Sequence, residues 1–102
     1  MKLVTIAITA ASLLFGTQAM ASLELAQKSA CLTCHQVDKK VVGPAYKDVA
    51  AKYKGDKTAE AKLFKKVKEG GKGAWGEIPM PANAQVKDAD IKTLVKWILS
   101  LK

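Results

Sequence analysis

The sequence predicts a small all-α domain of about four short helices. Three observations carry that expectation. Apolar residues recur at three- and four-residue spacing in separate segments. Glycine, proline and asparagine interrupt those segments. No stretch alternates apolar and polar residues in the manner of a strand, and 72–85 reads as one irregular loop with two glycines, two prolines and an asparagine.

The first helix is expected from Leu23 to about Ala30, with Leu23, Leu25 and Ala26 apolar and Glu24 in the first turn, where the helix dipole favours negative charge. A loop from Gln36 to Pro44 comes next. The second helix is expected from about Ala45 to Tyr53, with Val49, Ala50 and Tyr53 on one face, and Gly55-Asp56 breaks it. The third begins at Thr58 as N-cap, carries Ala59, Leu63, Phe64 and Val67 at helical spacing, and stops at Gly70-Gly71. The last runs from Asp88 to Leu101, with Ile91, Leu94, Val95, Ile98 and Leu101 forming an amphipathic stripe that draws Trp97 toward the core. Helices this short are marginal alone in water, so they need something central to pack on.

The start of the chain reads as a leader rather than as part of the domain. Met1-Lys2 is a short positive start, Leu3 to Phe15 is apolar, and Ala19-Met20-Ala21 is a small-x-small cleavage site. A retained membrane anchor needs about 20 apolar residues, more than this run offers. Residues 1–21 are therefore expected to be a secretory signal peptide and 22–102 one mature domain, exported to the periplasm with no membrane span left after cleavage. A domain of that size has a thin apolar core and usually adds a disulfide, a metal or a large cofactor. Its two cysteines exclude a four-cysteine framework.

Those two cysteines stand in Cys31-Leu32-Thr33-Cys34-His35. Two thiols separated by two residues, with an imidazole next, is the spacing for covalent attachment of a c-type haem. Each thiol adds to one vinyl group, and the adjacent histidine lies where it can ligate the iron. A thioredoxin-like redox disulfide would need a βαβ pattern, and zinc would need a fourth ligand where only three residues cluster. Haem c, one per chain through Cys31 and Cys34, is the expected cofactor. A six-coordinate iron needs a second axial ligand. After processing, the chain retains one histidine and one methionine. Met80 sits in Ile78-Pro79-Met80-Pro81, and each proline disfavours the helical region for the residue before it, so Ile78 and Met80 are held extended. Such a stiff segment offers a thioether at little ordering cost. The competing roles are methionine as core filler and a lysine ligand, and the latter must first lose a proton far below its usual pKa.

Charge points to partners. All 17 basic residues are lysines, against 9 acidic ones, giving +8; losing Lys2 with the leader leaves +7. That balance suits acidic partners, with lysines such as Lys28, Lys39, Lys40 and Lys47 as candidates to steer them. Export and the lack of a basic-aromatic motif exclude nucleic acid. A monomer is the default.

Taken together, Cys31–His35, Val42-Gly43-Pro44-Ala45-Tyr46-Lys47-Asp48-Val49-Ala50, Trp75-Gly76-Glu77-Ile78-Pro79-Met80-Pro81, Asn83 and Leu94-Val95-Lys96-Trp97-Ile98-Leu99-Ser100 resemble the small bacterial class I cytochromes c, the c-551/c-552 group. The resemblance covers essentially the whole mature chain. It implies an all-α fold around one haem, and a soluble one-electron carrier between respiratory redox complexes rather than an enzyme. It implies His35 and Met80 as axial ligands. It further implies that the Pro44 carbonyl accepts a hydrogen bond from the other nitrogen of His35, that Asn83 donates to the Met80 sulfur, and that the Trp75 indole N–H bonds a haem propionate. Lys66 stands where many members carry an arginine near a propionate, and a lysine cannot make the planar bidentate pairing. Two other readings remain at this point. A small haem peroxidase or gas sensor would leave the sixth position open, and an exported dithiol protein would be colourless.

Overall fold

The computed structural model describes residues 13–102, with side chains from Ala21 onward. The charged, apolar start of the expected leader lies outside the described residues. Its last part, from Leu13, is helical and runs unbroken into the domain. Helix α1 spans Leu13–Lys28, so it begins earlier than the expected Leu23 and passes through the expected cleavage site without a break. Ala30, in the left-handed region at φ 62°, ends the run, and a short 3-10 helix over Cys31–Thr33 succeeds it. The other helices are α2 (Tyr46–Lys52), α3 (Ala59–Glu69) and α4 (Asp88–Ser100).

The helical body matches the all-α expectation, and the apolar spacing places the right residues inside. Ile91, Leu94, Val95 and Ile98 of α4 are buried and face α1, α2 and α3. Ala26 of α1, Tyr46, Val49 and Ala50 of α2 and Ala59 of α3 are buried too. Trp97 packs on this core with its ring edge-on to Tyr46 at 5.7 Å. Asp88 and Asp90 occupy the first turn of α4, where the dipole favours them.

Two expectations need correction. Thr58 does not cap α3 with its side chain. Its donors turn instead to Asp56 in an Asx turn: Asp56 Oδ1 accepts from the Thr58 backbone N–H at 2.8 Å and from the Thr58 hydroxyl at 2.6 Å. The sequence reads Asp56 as part of the preceding break, yet its short carboxylate reaches two residues ahead and Thr58 becomes its donor. The second correction concerns 72–85. Within it lies most of an antiparallel two-stranded sheet, β1 (Gly71–Gly73) with β2 (Gly76–Met80), in register Gly71–Met80 and Gly73–Gly76. The prolines make Ile78–Met80 extended, as expected, but the pairing depends on Gly71, Gly73 and Gly76, all at positive φ. Both strands are edges, so Pro79 costs no ladder partner on its outer side.

Candidate functional site

The helices and the hairpin enclose a cleft with a volume of about 370 Å³. One wall comes from the segment Cys31–Tyr46. Residues Cys31 to Cys34 turn tightly, with the Cys34 and His35 backbone N–H groups donating to the Cys31 carbonyl at 3.2 and 3.0 Å. The chain then loops out and returns, and Val42 and Gly43 donate to the Cys34 carbonyl at 3.2 and 2.7 Å. That return brings Pro44 beside the histidine. His35 Nδ1–H donates to the Pro44 carbonyl at 2.8 Å. A carbonyl oxygen only accepts, so Nδ1 carries a proton, and Nε2 is the nitrogen whose lone pair a metal would take.

Two further contacts hold the imidazole. Its ring stacks on Tyr46 at 5.0 Å and 18°. It also lies against Gly43, where an added Cβ would come 2.4 Å from Cε1. Burial pushes the Cys31 thiol pKa up, partly offset by a hydrogen bond with Tyr46. Burial likewise pushes the Tyr46 phenol well above its ordinary value, with the Cys31 charge adding to it. Both groups are therefore neutral near pH 7.

The opposite wall is the hairpin. Met80 closes β2 and is half-buried against the cleft, next to Pro79 and Pro81. Between the walls lie apolar side chains of α3 and α4, among them Leu63, Val67, Leu94 and Ile98. Val42, Trp75 and Ile78 also line the cleft yet are 45%, 43% and 66% exposed. Large apolar side chains facing both a cleft and solvent are an incomplete surface, which a flat apolar group would cover. Two thiols, an imidazole with Nε2 free and a thioether share this cleft, and that donor set with its apolar lining fits a covalently held haem.

The expected site residues therefore converge. Cys31, Cys34, His35, Pro44, Lys66, Trp75 and Met80 all line the cleft. The Asn83 Nδ2 group donates to the carbonyls of Val67 at 3.1 Å and Pro81 at 3.3 Å. The side chain thereby fastens the segment after Met80 to the end of α3. The Trp75 indole stands at the rim under Lys52, whose Nζ is 4.6 Å from its ring centroid. Among the lysines offered for steering, Lys47 is committed to Asp38 at 2.6 Å, while Lys40 lines the cleft.

Sequence reasoning missed Gly43 and Gly70. Gly70 caps α3 at φ 75° and ψ −165°, and a Cβ there would come 2.4 Å from the Met80 carbonyl oxygen. Its position in a Gly-Gly pair signals a helix end, but not a close approach to a segment ten residues on.

Comparison with known proteins identifies the family. The family model described as Cytochrome c matches residues 21–102. The chain is 61% identical to cytochrome c-551 of Allochromatium vinosum over 83 residues, which is 81% of this chain and 88% of that protein. It is 53% identical to cytochrome c-552 of Nitrosomonas europaea over 93 residues, or 91% of this chain and 90% of that one. The crystal structure of wild-type Nitrosomonas europaea cytochrome c552 superposes with a TM-score of 0.76 at 55% identity, covering 78% of this chain and 99% of that chain.

Proposed function

The chain belongs to the cytochrome c family, and from that premise we propose that it works as an exported one-electron carrier whose iron is held between His35 and Met80. Family membership brings haem c, attached through two cysteines, and Cys31 and Cys34 are the two this sequence contains. When bound, haem c supplies a ferric–ferrous couple.

The chain's own residues do the rest. The Pro44 carbonyl fixes the tautomer and orientation of His35, and its acceptance of the Nδ1 proton makes Nε2 a stronger donor. The Met80 thioether, a soft and weakly basic donor, raises the reduction potential relative to a second histidine. Leu63, Val67, Leu94 and Ile98 keep water from one face, and burial of this kind tunes potential as well. His35 and Met80 together would hold the iron without leaving a coordination site for substrate, which suits a carrier rather than a catalyst. The Trp75 indole and Lys66 ammonium at the cleft are the groups proposed to meet the propionates.

The observation that carries this reading is the 2.8 Å bond from His35 Nδ1 to Pro44 in the same cleft as Met80. The purified protein is expected to show narrow reduced-state bands and a weak methionine-to-ferric-iron band. Loss of that weak band in Met80→Ala supports the ligand assignment, and its persistence would refute it. Export with cleavage after Ala21 predicts a secreted product that starts at Ser22, a mass readable directly. Among the described residues no helix is long and apolar enough to cross a membrane. The excess of lysine supports transient docking to acidic redox partners. Faster electron transfer at low salt than at high salt tests this.

A further inference from the structure

The hairpin that presents Met80 meets the helical body at Gly70 and through lysine side chains of α2 and α3. Its own ion pair, Lys72 with Glu77 at 3.7 Å, joins two hairpin residues and anchors nothing outside it. Gly71, Gly73 and Gly76, at φ of 136°, 107° and 113°, give its backbone more freedom than other residues would.

One side chain crosses from the helical body to the hairpin turn. Lys52 lies in the last turn of α2, where the dipole favours an ammonium. Its Nζ donates to the Ala74 carbonyl at 2.8 Å and sits over the Trp75 ring at 4.6 Å. Its helix is a firm base, because Tyr46, Val49 and Ala50 are buried. Lys52 makes no ion pair among the described residues, so these two contacts are what its charge does.

We propose that Lys52 is a positioning residue: it latches the Ala74–Trp75 turn to α2, keeps the Trp75 indole at the cleft rim, and limits opening of the strand that presents Met80. The last part rests on the His35/Met80 reading above; the latch itself does not. At this exposed site solvent screening weakens both contacts, and together they correspond to about a five- to tenfold shift in an opening equilibrium.

The test uses the haem-loaded wild type, Lys52→Met and Lys52→Arg. Lys52→Met keeps most of the stem and removes the charge and the donor. Hairpin amides are expected to exchange with solvent about five to ten times faster in Lys52→Met, with α3 and α4 amides unchanged. Lys52→Arg is expected to restore slow exchange, because a guanidinium keeps both contacts. Wild-type hairpin exchange in Lys52→Met, or no recovery in Lys52→Arg, would overturn the latch. The rate at which added imidazole abolishes the methionine-to-ferric-iron band reads the second half. A similar acceleration in Lys52→Met supports it, and an unchanged rate beside faster hairpin exchange overturns the link to Met80 alone. Absence of that band in the wild type would instead defeat the His35/Met80 reading, with hairpin exchange still deciding the latch.

Discussion

The two walls of the cleft are built by opposite means. His35 stands on a wall continuous with the core: its ring is bonded to Pro44, stacked on buried Tyr46 and seated on Gly43. Met80 stands on a hairpin tied to the body by the close approach at Gly70, the Asn83 amide, the Lys52 bridge and the approach of Lys66 to Gly71. His35 is placed by packing, Met80 by backbone fit and a few polar contacts. Local opening draws on regions with few buried apolar contacts, so the methionine side is expected to be the first to move.

Substitutions on each side can break or sharpen that contrast. The largest effect is expected for Gly70→Ala. Its backbone lies in a region almost reserved for glycine, and the new Cβ would strike main-chain atoms that cannot rotate away. About 3 kcal/mol of stability, on the order of 15 °C in Tm, should be lost, together with the methionine-to-ferric-iron band. Retention of that band would mean that Gly70 does not set the methionine wall. Gly43→Ala should cost about 2 kcal/mol by overpacking, since the His35 ring it would meet is pinned on two other sides. Thermal melting reads the loss. An accompanying perturbation of the histidine proton signals would place the strain on the histidine wall, and wild-type signals would argue against a rigid seat.

A smaller effect concerns α3, which carries Leu63, Lys66 and Val67 between the walls. The hydrogen bonds from the Thr58 hydroxyl and backbone N–H, and then Lys62, hold the Asp56 carboxyl at about 2, below its ordinary 3.8. A depressed carboxyl stabilises the fold above its unfolded pKa and loses that contribution as pH falls through its folded pKa. The wild type should therefore melt higher than Asp56→Asn at pH 6, with the difference shrinking between about pH 4 and pH 2. A pH-independent difference would show that the turn acts through shape rather than charge. The smallest effect is expected at Lys66, whose Nζ approaches Gly71 of the hairpin. In Lys66→Arg a planar fork should grip a propionate more firmly and change the pH dependence of the reduction potential. Identical profiles would leave Lys66 outside the propionate site.

Much of this contrast is legible in the residues themselves. The Cys31–His35 spacing fixes three groups within a single turn, so it survives any uncertainty about the fold. The stripe on 88–101 foretells the buried face of α4, because helical period is a local property. The extended conformation of Ile78 and Met80 comes from their prolines. Less visible is the hairpin, because its pairing needs three glycines at positive φ and carries no apolar alternation. The contact of the Asn83 amide with the end of α3 is hidden because it joins residues 16 apart, and no local rule of spacing brings Val67 to it.

By itself the sequence determined the cofactor chemistry, the histidine beside the two thiols, the stiffness of the segment bearing Met80 and the all-α body. These depend on covalent neighbours and on periods of a few residues. Only the tertiary structure decided that Gly43 seats a ring, that Gly70 admits the Met80 backbone and that Lys52 reaches Trp75 from a distant part of the chain. Such contacts join segments whose separation is set by the packing of α2, α3 and α4, and no local rule of spacing encodes them.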